Sequence, residues 1–153
     1  MTPDPNNPPP PRKPGEPTFQ LKLEPLTLVF KNDNLTEGFT QVKFTITNTS
    51  NKRQTFKVKC TANEIFRTRP AFGYLQPQES TIIRVRFASK SVPESGKHYF
   101  SIYHMAAEED KPLKELWSTG GKEPEGVQRM YCYFQNNDGT PAPLGESRKS
   151  VKV

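Results

Sequence analysis

Apolar and polar residues alternate along most of the chain. Phe44 and Ile46 interleave with Lys43, Thr45 and Thr47, and Phe56, Val58 and Cys60 with Lys57 and Lys59. Ile83, Val85 and Phe87 alternate with Arg84 and Arg86. Phe100 and Ile102 alternate with Tyr99, Ser101 and Tyr103, and Met130, Cys132 and Phe134 with Tyr131 and Tyr133. A period of two predicts strands with one face on a core and the other in solvent. Two more strands are expected at 19–23 and 26–31, parted by Pro25, and a short one at 66–69. Turn-forming residues fill 48–52 and 93–96, while Pro70, Gly73, Pro77 and Gln78 read as a kink followed by a turn. Only 111–117 looks helical, with Leu113, Leu116 and Trp117 on one side of a run too short to stand without packing. About seven strands at this spacing predict an antiparallel β-sandwich.

Composition sets the limits of that domain. Of 153 residues, 16 are proline, and half of these fall within 1–17. That stretch has no apolar surface to offset its ordering entropy and reads as a disordered, extended tail. Residues 136–153 look equally loose, leaving 18–135 as one domain. No apolar run approaches the ~20 residues of a membrane span, and no secretory leader opens the chain. A cytoplasmic protein is expected, with the sequons at Asn34 and Asn48 idle. Cys60 and Cys132 stand at a separation that an extracellular immunoglobulin-type domain could bridge. A reducing cytosol favours two buried thiols instead.

The strand sequences resemble one family in particular. Leu28-Val29-Phe30, the run from Val42 to Asn48, and the run from Phe56 to Thr61 are similar to the major sperm protein domain. Pro70-Ala71-Phe72-Gly73-Tyr74-Leu75-Gln76-Pro77 matches that family's P-x-x-G-x-L-x-P element, and the resemblance runs from about Thr18 to Gln135. It implies a seven-stranded immunoglobulin-like sandwich without catalytic activity or cofactor, working through protein contacts. Two branches follow. Major sperm proteins dimerise and polymerise into the filaments of nematode sperm, with related accessory proteins bound along them. The VAMP-associated proteins instead hold acidic, phenylalanine-containing peptides at the endoplasmic reticulum.

The second branch fits less well. Its K-H-K-F-M-V strand corresponds to Lys97-His98-Tyr99-Phe100-Ser101-Ile102, so Tyr99 replaces a peptide-gripping lysine and Ser101 a methionine. Lys57 and Lys59 still match basic positions of that peptide-binding face. The chain is also longer and more basic than the filament subunit, which favours a cytoskeletal accessory protein, with homodimerisation open to it. Fold alone does not decide among these roles.

Charge and aromatic placement suggest where a partner would dock. Between Lys52 and Lys97 there are ten basic residues and three acidic ones, and the whole chain carries +6. Parity turns Lys57, Lys59, Arg84 and Arg86 outward, and an immunoglobulin-like topology would put the lysines on one sheet and the arginines on the other. Tyr99, Tyr103, Tyr131 and Tyr133 should face solvent on the lysine-bearing sheet. Tyrosine is common at interfaces because it is rigid, apolar and able to hydrogen-bond, although cross-strand tyrosine pairs also stabilise a sheet by themselves. The expected partner-binding set is Lys57, Lys59, Tyr99, Ser101, Tyr103, Tyr131 and Tyr133. No nucleic-acid motif supports a polynucleotide partner, and Glu108, Glu109 and Asp110 interrupt the basic track.

Catalytic and metal chemistry find little support. His98 and His104 point to the core side by parity and lack neighbours at metal-ligand spacing. The run 118–122 lacks the spacing of a phosphate loop and follows a helical turn instead of a strand. Pro8 to Lys13 fits the polyproline ligand pattern P-x-x-P-x-K, common by chance in such segments, and is expected to act as a spacer.

Overall fold

Alternation of apolar and polar side chains becomes two facing sheets. The computed structural model describes residues 3–107, 112–118 and 123–146. Its elements are β1 (Lys22–Glu24), β2 (Leu28–Lys31), β3 (Thr40–Thr47), β4 (Gln54–Cys60), β5 (Phe66–Arg69), β6 (Phe72–Leu75), β7 (Ser80–Phe87), β8 (Ser91–Val92), β9 (Tyr99–Ala106), α1 (Leu113–Leu116), β10 (Gly126–Gln135) and β11 (Gly145–Glu146). One sheet runs β1-β3-β7-β5 and the other β2-β10-β9-β4-β6, with β8 and β11 forming a small ribbon. The inward residues of both sheets make a single core. Its centre is aromatic: Phe30 on β2, Phe87 on β7 and Phe134 on β10 meet with ring centroids 4.8 to 5.7 Å apart.

The sandwich is therefore of the expected class, with more and shorter strands. Residues 70–78, expected as a kink and turn, instead contain β6, which pairs with β4 from Lys57↔Phe72 to Gln54↔Leu75. Gly73 permits this pairing, because a Cβ there would lie 3.0 Å from the Phe56 ring. The β2–β10 pair is parallel, a departure from a purely antiparallel sandwich. The expected helix is a single turn, and Lys111, its expected first residue, lies outside the described residues. Trp117 fixes that turn by donating its indole N–H to Thr55 Oγ1 at 3.0 Å.

The 48–52 turn is built around Asn48. Its amide nitrogen donates to the carbonyls of Lys52 and Leu75 at 2.8 and 2.9 Å, and its Oδ1 accepts the Ser50 N–H. The residue is fully buried, so this sequon offers no amide to a glycosyl donor.

Cys60 and Cys132 are both free thiols. They lie on the two neighbours of β9 within one sheet. Strand spacing alone puts their backbones about 9.5 Å apart, beyond the ~7 Å that a disulfide can bridge.

Two segments assigned to tails make contacts that strand patterning did not announce. Residues 11–17 lie along the half of β10 that β2 does not reach. The β10 amides of Arg129 and Val127 donate to the carbonyls of Pro11 and Pro17 at 2.9 and 3.2 Å. Proline lacks an N–H but keeps its acceptor, so it can cover a strand edge that presents donors. At the other end, the Ala142 amide donates to the Phe134 carbonyl, and β11 pairs with β8. Residues 147–153 of the expected C-terminal tail lie outside the described residues.

Candidate protein-interaction face

The outward side of the β4-β9-β10 sheet gathers the sequence-derived set, and the register fixes which members touch. Lys57 stands opposite Tyr103, and Lys59 opposite Ser101. Tyr131 stands opposite Tyr99, their ring centroids 5.3 Å apart. The Lys59 ammonium lies 5.9 Å from the centre of the Tyr103 ring, at the outer limit of a cation–π contact. Burial, followed by the charge of Lys59, lowers the pKa of Lys57. Lys59 is exposed, while Lys57, Tyr99 and Tyr103 are half-buried. These four side chains form one open patch of two cations and two phenols.

The other expected members are placed differently. Ser101 is buried between the flanking Lys59 and Arg129, so it forms floor rather than rim. Tyr133 points outward from β10 as parity requires, yet it is only 2% exposed. Pro3 and Pro5 line a shallow cavity of about 230 Å³ with it, so the N-terminal segment removes it from the exposed face. Tyr131 is half-buried, and its hydroxyl lies 3.5 Å from the Pro10 carbonyl. Burial, its largest cause, raises the pKa of both tyrosines.

The residue that sequence reasoning missed is Arg129. Its guanidinium pairs with Glu16 through both carboxylate oxygens, at 2.6 and 3.0 Å, and lies 5.3 Å from the Tyr99 ring centre. Hydrogen bonding to Arg129 holds the Glu16 carboxyl at about 2, and the same bond raises the arginine. Parity alone puts Arg129 beside Tyr131 on the outward side. Nothing local, however, identifies its partner, 113 residues away. The β10 half of the face is thus closed by the chain's own N-terminal segment, while the β4–β9 half stays open.

The histidines are structural. His104 is 1% exposed; its Nδ1 lies 3.0 Å from Gln54 Oε1, and its Nε2 accepts the Gln20 N–H at 3.0 Å. That second bond needs an unprotonated Nε2, which makes Nδ1 the donor to Gln54. Burial lowers this imidazole to about 4. His98 is half-buried against Thr61 Oγ1, and burial lowers its pKa as well. Among the described residues, no three His, Cys, Asp or Glu side chains converge as metal ligands. No helix among them is long and apolar enough to cross a membrane.

Comparison with known proteins fits this geometry. An uncharacterized Caenorhabditis elegans protein, ZK688.12, is 28% identical over 120 residues, covering 77% of this chain and 68% of that protein. A vesicle-associated membrane protein/synaptobrevin-binding protein from Aplysia californica is 27% identical over 111 residues, covering 69% of this chain and 43% of the relative. The structure of WR4, a C. elegans MSP family member, superimposes with a TM-score of 0.61 at 18% identity, covering 73% of this chain and 94% of that one. The major sperm protein domain model matches residues 20–122, and the chain belongs to the major sperm protein domain family.

Proposed function

We propose that this domain is a non-enzymatic protein-interaction module that presents Lys57, Lys59, Tyr99 and Tyr103 to an acidic protein surface. In this reading the partner is a major sperm protein filament, and the chain is an accessory component of the cytoplasmic sperm cytoskeleton. The observation that carries it is the open β4–β9 patch, where two cations and two rigid phenols adjoin while the neighbouring tyrosines are covered. Aromatic side chains beside a cation are common anchors of protein interfaces.

A second reading is supported by the similarity to the Aplysia synaptobrevin-binding protein and by Lys57 and Lys59. The same patch would then grip an acidic diphenylalanine peptide, with Tyr99 and Ser101 in place of a lysine and a methionine.

Co-sedimentation with major sperm protein filaments, beside a titration with such a peptide, separates the two. Pelleting with filaments and no response to peptide supports the accessory role. Peptide binding without pelleting selects the adaptor. The Lys57→Glu/Lys59→Glu variant should lose the interaction while its melting temperature hardly moves; unchanged affinity removes this face from the model.

A further inference from the structure

The reverse sheet carries a second concentration of positive charge. On β5, Arg67 and Arg69 point outward, as do Arg84 and Arg86 on β7 and Lys43 on β3, and all five are exposed. Register stacks them in two transverse rows. Arg67 stands opposite Arg86, which stands opposite Gln41, and Arg69 stands opposite Arg84, which stands opposite Lys43. A groove of about 630 Å³ runs over them, lined by Gln41, Thr68 and the four arginines.

Like charges directly across a sheet are destabilising. Here they recur in both rows, and among the described residues no ion pair neutralises any of the five. Two of them, one in the middle of the plate and one at its edge strand, are nevertheless held in place. Arg86 donates through Nε to Gln41 Oε1 at 3.0 Å and lies 4.3 Å from the centre of the exposed Phe39 ring. Arg67 donates to the Asn63 carbonyl at 2.6 Å. Those contacts orient guanidinium forks without cancelling their charge, the condition for binding a carboxylate from outside.

We infer that this plate is a second docking site, for an extended acidic segment of a protein partner. Rows two residues apart on one strand lie about 6.8 Å apart, the spacing of alternate side chains in an extended peptide. The next outward position along β7 beyond Arg84 is Ile82, a large apolar side chain left 40% exposed. The plate therefore selects an acidic residue, a second acidic residue two positions on, and an apolar residue two positions further. A single-stranded nucleic acid would need open aromatic platforms for its bases. On this face Phe39 is exposed but already carries the Arg86 guanidinium against its ring, and one ring does not make a series of platforms. Lying on the opposite sheet from Lys57 and Lys59, the plate would let one domain join two acidic partners.

The test is fluorescence anisotropy with a labelled peptide containing Asp-Thr-Asp-Thr-Leu. Comparison probes are a permuted peptide of the same composition, a single-stranded oligonucleotide and phosphatidylserine vesicles. The full chain should bind the ordered peptide in preference to the others, more weakly as salt rises. Arg69→Gln/Arg84→Gln should weaken that binding about tenfold or more, because two charge-assisted contacts are lost. This variant relieves like-charge repulsion, so its melting temperature should hold or rise. Lys31→Gln/Lys97→Gln, an equal loss of charge elsewhere, should bind like the unaltered chain. Equal binding of both peptides, tighter binding of the oligonucleotide or vesicles, or an arginine variant that binds normally would each overturn the inference.

Discussion

Glu16 and Arg129 meet across 113 residues of sequence in a two-pronged ion pair, with the arginine side chain 9% exposed. The pair ties the proline-rich N-terminal segment to the middle of β10. Around it, the carbonyls of Pro11 and Pro17 take up β10 amides, and Pro3 and Pro5 cover Tyr133. A strand edge that would invite pairing with another chain is occupied, and half of the tyrosine face is withdrawn with it.

The first prediction concerns that tether. In Glu16→Gln the segment should open more often, and trypsin should cut the Arg12–Lys13 bond several-fold faster at neutral pH. The core should melt at nearly the same temperature, since the pair holds a segment and not the sandwich. Identical cleavage rates would mean that the proline carbonyl contacts alone hold the segment.

Acid should act through the same pair. The Glu16 carboxyl is lowered from 4.5 to about 2, chiefly by its bond to Arg129. A depressed carboxyl contributes fully above its unfolded value and loses that contribution as pH falls through the folded one. Protection against hydrogen exchange of the Val127 and Arg129 amides, which donate to Pro17 and Pro11, should therefore decline between pH 4.5 and 2. Glu16→Gln should remove that decline.

His104 sets a different acid window. Its imidazole is lowered from 6.5 to about 4 by burial. The unfolded chain therefore takes up a proton in this range that the folded one refuses. Stability is fully present above pH 6.5 and falls as pH drops toward 4, by up to about 1.4 kcal/mol per pH unit. Urea midpoints at a series of pH values will show this slope, and His104→Gln should flatten it.

Gly126 is required by close approach. A Cβ at this position would lie 2.2 Å from His104 Nε2 and 2.9 Å from the Thr18 carbonyl oxygen. Gly126→Ala should cost about 3 kcal/mol, as overpacking of a buried site does, read from a denaturant titration. A change below about 1 kcal/mol would mean that the His104 ring yields freely.

The two thiols should behave unequally. Burial raises both, Cys132 the more strongly, and only Cys60 is part-exposed. With a thiol reagent on the native chain, Cys60 should react first and Cys132 only on unfolding. Mild oxidant should give no intramolecular crosslink.

Much of this molecule was legible in one dimension, and the reason is the period of two. Alternation fixed which side of β3, β4, β7, β9 and β10 meets the core, because a strand's side chains must point to opposite faces. Together with an immunoglobulin-like topology, which the family resemblance implied, it put Lys57 and Lys59 on one sheet and Arg84 and Arg86 on the other. The family element from Pro70 to Pro77 was visible too, although its punctuation hid β6, whose pairing depends on how closely Gly73 lets Phe56 approach. What alternation cannot report is what lies above an outward residue. Tyr133 and Arg129 have the parity of surface residues and are nevertheless buried, because a segment more than a hundred positions earlier folds over them. Arg67 and Arg69 join Arg84 and Arg86 only once β5 pairs with β7, since cross-strand register depends on which strands become neighbours. The sequence by itself determined the long strands and their faces through local sterics and hydrophobic period. Only the tertiary structure decided which faces stay open, because covering a face depends on contacts between residues far apart along the chain.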